Sequence, residues 1–387
     1  MAAKKLLFLK KLGKGVLLPI TILAAGALLC SFFAQILRPT FSHLVAYCGL
    51  FFYYILLANG ILTVVWLFLD YRIALIPVVP ILLNVNNIDR HFQLRPQDKP
   101  STCANCVKVM SYNARVFGVY DANDDVKQRE KNKKDLVNFF RRECPDLLCI
   151  QEYFYDKTGK LHFNTTKELL NAMNLPDNEK NYHLFLSNSS GPHQFGLAIF
   201  SRYRIVNSGV VDTGDSSNNK AVFADIRYNG KIVRVYNIHL KSMSLGDEDY
   251  KTGKAVLNND MSDPEINTKA KHLYDKITYA FEQRQGQAQR IRAHIDTCEY
   301  PVIICGDFND SPASYSVHKI SHGFKDSFRS SGKGLGSTYF GDAFPAYRID
   351  YIFHTKDYND FGHTVCSELE TSDHRPIYTY ISVIDKK

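Results

Sequence analysis

The stretch Val302-Ile303-Ile304-Cys305-Gly306-Asp307-Phe308-Asn309-Asp310 begins as four apolar, mostly β-branched residues and closes on a glycine, an acid and an amide. A run of this kind reads as a buried strand. Gly306 lets the backbone turn, and Asp307 and Asn309, two apart, can point to the same side. An acid and an amide delivered together at a strand end suit water activation and phosphate binding. An Asx-rich turn is the structural alternative, and the segment alone does not decide between them.

Working outward, the same feature recurs. Val107-Lys108-Val109-Met110-Ser111-Tyr112-Asn113 is an apolar strand ending in an amide, and Leu147-Leu148-Cys149-Ile150-Gln151-Glu152 ends in a carboxylate. Together they offer hard oxygen ligands, which suit Mg²⁺, with Mn²⁺ as its substitute, better than a soft metal. Val233-Arg234-Val235-Tyr236-Asn237-Ile238-His239 ends a strand in histidine. Arg348-Ile349-Asp350-Tyr351 places an acid near the start of a β run, where a buried charge needs a partner. Ser372-Asp373-His374 sets a carboxylate beside an imidazole ahead of the last strand, as general-base catalysis requires. Each motif taken singly is compatible with a turn or a solvated strand end; their recurrence in one chain is not explained that way.

Between these motifs the pattern alternates short β-rich runs with helical stretches, which predicts a sheet-based α/β domain. Predicted strands are Val107–Asn113, Leu147–Gln151, Tyr182–Ser187, Gly196–Ser201, Ala221–Tyr228, Lys231–His239, Pro301–Gly306, Arg348–His354 and Ile377–Val383. Helices are predicted over Lys127–Glu143, stopped by Pro145, and over Asn267–Thr297. The segment from Leu245 to Asp263 reads as a polar, acidic loop with Asp247, Glu248 and Asp249.

The first quarter of the chain is different. Val16–Leu37 and Leu44–Leu69 are apolar and uncharged over lengths that exceed the ~20 residues a bilayer crossing needs. A cleaved signal peptide is the alternative for the first run, but the second follows after a short turn at Arg38-Pro39-Thr40 and argues for a hairpin. A third run, Ile73–Leu83, contains Pro77 and Pro80 and either spans through Ile88 or lies at the interface. Lysines at the N-terminus place it in the cytoplasm, so three crossings put the remainder outside an inner membrane and two leave it inside; the turn at Asp70-Tyr71-Arg72 favours three. Trp66, Tyr53, Tyr54 and Tyr71 are expected to face lipid or its interface. The predicted organisation is a multi-pass anchor over 1–92, a polar linker over 93–105 and a catalytic domain over 106–387.

Net charge follows the same division. Lys4, Lys5, Lys10, Lys11, Lys14, Arg38, Arg72, Arg90 and Arg95 face only Asp70 and Asp89, so all but one unit of the formal +8 lies before residue 96. A near-neutral remainder gives little support for a broad nucleic-acid footprint. Nine cysteines, several inside apolar runs (Cys30, Cys48, Cys149, Cys305), do not form a disulfide framework. Cys103 and Cys106 form a lone CxxC without the second ligand pair of a zinc site, leaving two incidental thiols or one local disulfide.

The ordered set Ser-Tyr-Asn113, Gln-Glu152, Asn-x-His239-Leu, Gly-Asp307-Phe-Asn309, Arg-x-Asp350-Tyr and Ser-Asp373-His374 resembles the endonuclease/exonuclease/phosphatase superfamily, from Cys103 to the C-terminus. The N-terminal region makes it similar to a membrane-anchored bacterial branch. The resemblance implies a four-layer α/β sandwich of two mixed sheets flanked by helices. It further implies Glu152 as main Mg²⁺ ligand with Asn113 and Asp373 near the ion, His374 oriented by Asp350, and Asn309 and His239 on the non-bridging phosphate oxygens. Asp307 and His374 would activate water; which takes the proton stays open. The expected activity is metal-assisted, in-line hydrolysis of a phosphate ester at a membrane, as phosphodiesterase or phosphatase, with no organic cofactor. A phospholipid substrate fits the anchor and the weak charge; an exported nuclease on DNA or RNA and an inactive binding module are the alternatives.

Overall fold

The computed structural model describes residues 2–94, 103, 105–119, 126–159, 164–186, 193–214, 219–258, 264–340 and 347–382. Most of the predicted linker, the end of the predicted acidic loop, Ser187 and Val383 lie outside the described residues. The chain forms two compact units, Met1–His91 with Asp310–His318, and Phe92–Asn309 with Lys319–Lys387.

The smaller unit is helical because its apolar runs must satisfy their backbone internally. It holds α1 (Ala2–Ala34), α2 (His43–Leu50), α3 (Phe52–Leu69), α4 (Leu75–Leu83) and α5 (Val85–His91). Ser42 caps α2 by accepting the Val45 N–H, and Phe51 breaks the expected Leu44–Leu69 run into two helices. Lys14–Ala34 and Phe52–Leu69 are long and apolar enough to cross a bilayer by length and composition. The third run is helical over nine residues before Asn84, a rise of about 14 Å against a hydrocarbon core of ~30 Å. Buried amides join these helices: Asn59 donates to the Ala24 carbonyl (2.9 Å) and Asn84 to that of Leu28 (3.0 Å). Trp66, expected at a lipid interface, is fully buried, its indole N–H donating to the Thr21 hydroxyl at 2.8 Å. Within the same unit the Ser311 hydroxyl donates to the Gly49 carbonyl (2.9 Å), and Ala313 packs with Leu28 and Phe52.

The larger unit has twelve strands among its described residues: β1 (Cys106–Asn113), β2 (Leu147–Asp156), β3 (Tyr182–Leu186), β4 (His193–Ser201), β5 (Ile205–Val211), β6 (Ala221–Tyr228), β7 (Lys231–His239), β8 (Val302–Asp307), β9 (Phe324–Asp326), β10 (Asp350–Thr355), β11 (Asn359–Val365) and β12 (Ile377–Ser382). They form two six-stranded mixed sheets, ordered β11-β12-β1-β2-β4-β3 and β5-β6-β7-β8-β10-β9. At the centre of each lies one parallel pair, β1/β2 and β7/β8. Parallel neighbours need a long crossover, here α6 (Val126–Glu143) in the first sheet and α8 (Asp247–Leu257) with α9 (Pro264–Asp296) in the second. Two further short helices, α7 (Thr165–Ala172) and α11 (Ser327–Ser331), belong to this unit, and α10 (Tyr315–Ser321) begins in the smaller unit and ends in this one. Much of the segment read as an acidic loop is therefore α8; its acids occupy the first helical turn, where they favour the helix dipole, and Asp249 pairs with Lys276 at 2.6 Å.

Side-chain alternation builds the layers. Val107 and Val109 of β1, Leu147 and Cys149 of β2, Val233 and Val235 of β7 and Ile303 and Cys305 of β8 pack together between the sheets. The intervening Met110, Tyr112, Leu148 and Ile150 pack outward with Leu136, Phe139 and Phe140 of α6 and Leu169 and Leu170 of α7. On the second sheet Tyr236 faces α9, its hydroxyl 2.9 Å from His294 Nδ1. Cys103 and Cys106 form a local disulfide, and Cys48, Cys149 and Cys305 are free and buried.

His363 on β11 is buried beside Ser327, whose hydroxyl donates to the Ile352 carbonyl and so accepts from His363 Nδ1 at 2.8 Å. Burial drives its pKa down from 6.5 to about 4. The unfolded chain then binds a proton that the folded chain refuses between those values, so this contribution is present above pH 6.5 and lost as pH falls towards 4, by about 3 kcal/mol in total. Denaturant midpoints of wild type and His363→Asn should converge as pH drops through that window; a constant difference would contradict the assignment.

Candidate active site

The inward faces of the central strands are apolar at one end and polar at the other. Val107-Val109 continues into Ser111 and Asn113, Leu147-Cys149 into Gln151, Val233-Val235 into Asn237 and His239, and Ile303-Cys305 into Asp307. Strand register then lines up the ends: Asn113 opposite Gln151, and His239 and Asp350 on either side of Asp307. Gly306 allows this row to close, since a Cβ there would stand 2.0 Å from the Ile238 carbonyl oxygen. Glu152 would alternate to the outer face, but the register of β2 shifts between Ile150 and Tyr153 and Glu152 adopts φ +50°. A bulge of this kind re-aims a side chain, and the Glu152 carboxylate accepts from Asn113 Nδ2 at 3.3 Å.

Beneath this row the sheets are joined by amides. Asn237 donates to the carbonyls of Ile150 (2.8 Å) and Ala198 (2.9 Å), and its oxygen accepts from Gln151 at 2.6 Å. Above it, Asn113 Nδ2 donates to Asp307 Oδ2 at 2.9 Å. Asp307 Oδ1 accepts the backbone N–H of Asn309 at 2.8 Å, and the Asn309 amide donates to Asp307 Oδ2 (3.2 Å) and to the Leu240 carbonyl (3.1 Å). The side chain of Asn309 therefore orients Asp307. His374 Nδ1 donates to Asp350 Oδ2 at 2.9 Å, and its Nε2 lies 3.7 Å from Asp307 Oδ2. His239 Nε2 lies 3.7 Å from the same Asp307 oxygen and 3.9 Å from Glu152 Oε1. Buried, it has no hydrogen-bond partner among the described residues.

Seven of the eight sequence-predicted residues are linked by these contacts. The eighth, Asp373, stands at the rim, its carboxylate 3.8 Å from the Arg115 guanidinium and 3.4 Å from the Ser372 hydroxyl. Ser372 anchors this turn by donating to the Asn113 carbonyl (2.8 Å) and accepting the His374 N–H (3.1 Å). Sequence reasoning passed over Thr338, whose hydroxyl accepts the N–H groups of Ile349 and Asp350, and Tyr339, whose ring meets that of His374 at 5.2 Å. Neither carries a local signal, because a lone Thr-Tyr in a short irregular bridge resembles any other loop.

Burial sets the electrostatics. It raises Asp307 to about 6, against the pull of His374. Burial also opposes charge on His374, but Asp350 and Asp307 outweigh it and lift the imidazole to about 10. His239 is held below its usual value by burial, so it is neutral. Glu152 is raised, chiefly by desolvation and further by Asp373.

Two donor sets could accept a divalent cation. Asp307, Asp350 and His374 offer ligand atoms within 4.8 Å of one another, but Asp350 and His374 already bond each other. Glu152 and Asp373 bring together two carboxylates whose like-charge repulsion a hard cation would relieve, beside Asn113, whose NH2 faces Glu152 while its oxygen accepts the Arg115 N–H at 3.1 Å.

The model of the endonuclease/exonuclease/phosphatase family matches residues 110–374, and that of a domain of unknown function matches residues 14–91. No curated protein matches the chain. Among solved structures, a family protein from Leptotrichia buccalis is 19% identical at a TM-score of 0.46, covering 71% of this chain and 99% of that one. The corresponding figures are 16%, 0.48, 72% and 98% for a family protein from Bacteroides vulgatus. They are 17%, 0.48, 71% and 99% for a mannosyl-6-phosphatase from Bacteroides thetaiotaomicron.

The hydrogen bond to Asp350 should be visible in solution. In divalent-free buffer, NMR titration should show His374 protonated through neutral pH, and Asp350→Asn should lower its pKa by at least about one unit. Ordinary titration near 6.5 in both proteins would contradict this geometry.

Proposed function

The chain belongs to the endonuclease/exonuclease/phosphatase family and is a metal-dependent phosphoester hydrolase; from that premise we propose that it is a membrane-anchored, Mg²⁺-dependent enzyme acting on a phosphate ester of a lipid. The observation that carries the hydrolytic reading is the meeting of the His374–Asp350 pair, the doubly held Asp307 carboxylate and the unpartnered His239 Nε2 in one buried space. That constellation suits a phosphoryl group better than any apolar ligand.

Each residue takes a role from its contacts. Both Asp307 oxygens accept N–H groups, as an ionised carboxylate does, so Asp307 is positioned to take the proton of the attacking water. His374, kept charged by Asp350, faces the negative charge that develops on the phosphoryl oxygens. Neutral His239 offers Nε2–H to a non-bridging oxygen, and Asn309 acts first on Asp307. Glu152 and Asp373 would hold Mg²⁺, joined by Asn113 once its amide turns its oxygen inward; the ion when bound would neutralise charge on the ester and its leaving group. Water adds to phosphorus and the bond to the leaving oxygen breaks; among the described residues no serine or cysteine side chain is hydrogen-bonded to Asp307, His239 or the His374 imidazole, and Ser372 is held by the Asn113 carbonyl.

The lipid reading and the anchor rest on the two apolar helices and on a larger part that carries little net charge. The local disulfide Cys103–Cys106 favours an extracytoplasmic location, since such bonds persist in oxidising compartments. That location requires a third crossing, which Leu75–Leu83 is too short to make alone and could complete only together with Val85–His91. Alkaline phosphatase fused at the C-terminus should then be active; an inactive fusion that is stably made would place the enzyme on the cytoplasmic side.

Purified protein should hydrolyse bis(p-nitrophenyl) phosphate only with Mg²⁺ or Mn²⁺. Glu152→Ala and His374→Ala should each lower kcat/KM by at least ~10²-fold without unfolding the chain. Full activity in either variant would remove the assignment. In a substrate panel, phospholipid should be cut in preference to DNA or RNA; the reverse order makes the protein a nuclease.

A further inference from the structure

The short ribbon that carries His374 has a second face. Phe340 N–H donates to the Asp373 carbonyl (2.9 Å), Arg375 N–H donates to that of Thr338 (2.8 Å), and Tyr339 bridges His374 antiparallel. Neighbours in an extended pair point to opposite sides. Tyr339 and His374 meet ring to ring on the active-site side. Phe340 and Arg375 meet on the reverse, with the guanidinium 3.5 Å from the ring centroid.

A cavity of about 340 Å³ opens on that reverse side, lined by Lys333, Ser337 and Arg375 among polar residues and by Leu335 and Phe340 among apolar ones. That volume lies within the usual range for small-molecule sites, roughly 300–1,000 Å³. Among the described residues no carboxylate lines it. Among the described residues neither Lys333 nor Arg375 has an ion pair or a side-chain hydrogen bond. The nearby Arg348 shows the contrast: it too lies over aromatic rings, those of Phe328 and Tyr351, but its guanidinium is spent on Asp326 at 3.1 and 2.8 Å. Arg375 is half-buried with its planar fork of donors uncommitted, the arrangement that matches a phosphate or carboxylate bidentately. Leu335 and Phe340, 45% and 37% exposed, add apolar surface beside the two cations.

We propose that Lys333 and Arg375 form a second anion site, separate from the active cleft, for a phosphate-bearing ligand with an apolar group. A lipid headgroup and a free phosphate share the recognised chemistry, and the apolar lining favours the former. The site stands whether or not the cleft is hydrolytic.

Calorimetric titration of the full chain in neutral-detergent micelles, without divalent ions, tests this with hexylphosphonate, which a hydrolase cannot cleave. Binding should be the same in wild type and Glu152→Ala, and at least about tenfold weaker in Arg375→Gln and in Lys333→Glu. Lys333 is exposed, so Lys333→Glu keeps the test open if the arginine variant misfolds, and its basal kcat/KM should be unchanged. Methylphosphonate should bind at least about tenfold more weakly than hexylphosphonate; equal binding would make free phosphate the occupant and overturn the amphiphile. Equal affinity in wild type and Lys333→Glu, or loss of binding in Glu152→Ala, would overturn the site.

Discussion

Asn237 is a fully buried side-chain amide in the interface between the two sheets, and its bonds to Ile150, Ala198 and Gln151 fix how one sheet sits on the other. A neutral hydrogen bond of this kind contributes only about 1 kcal/mol net, but an unsatisfied buried amide costs about 1–3 kcal/mol. Any slip between the sheets therefore carries a penalty that apolar packing alone would not impose. The active site needs that certainty, because Asn113 and Glu152 come from one sheet and His239, Asp307 and Asp350 from the other. Asn113 to Asp307 is the direct link, and it forms only if the amides below are in register.

The site keeps its charges by pairing, against the cost of burial, and its shape by strain. Glu152 holds a left-handed backbone conformation, as do Arg115, Val116 and Phe117 just after Asn113, with φ of 40–59°. Such conformations cost roughly 1–2 kcal/mol per residue outside glycine. Phe117 offsets the strain of its turn by burying its ring against Tyr153 at 5.9 Å. The result presents Arg115 to Asp373 at the rim and Glu152 to Asn113 inside. Buried acids that would otherwise take up protons are matched by charged His374 and by N–H donors, so the pocket is organised before a cation or substrate arrives.

Much of this was legible in the sequence. β6 and β7 begin and end where their patterning predicts, and the polar strand ends read from the sequence come together in the fold, because the strand register brings the ends of β7, β8 and β10 side by side. The strands that escaped were β5, β9 and β11, which are three of the four sheet edges. Edge strands are covered on fewer sides: β5 carries Asn207, Ser208 and Gly209, β11 carries Asn359, Asp360 and Gly362, and β9 is only three residues long. Bulge geometry at Glu152, the double use of the Asn309 amide and the ring contact of Tyr339 with His374 depend on three-dimensional neighbours and leave no trace in local pattern. α8 was hidden by acids that read as loop but serve as first-turn residues of a helix.

Direct attack of water on phosphorus, prepared by groups from both sheets, is the central claim. It is tested most directly by hydrolysing a phosphorothioate ester, chiral at phosphorus, in heavy-oxygen water and determining the configuration of the product. Inversion is predicted for a single in-line displacement. Retention would require two displacements through a covalent enzyme intermediate and would contradict the account.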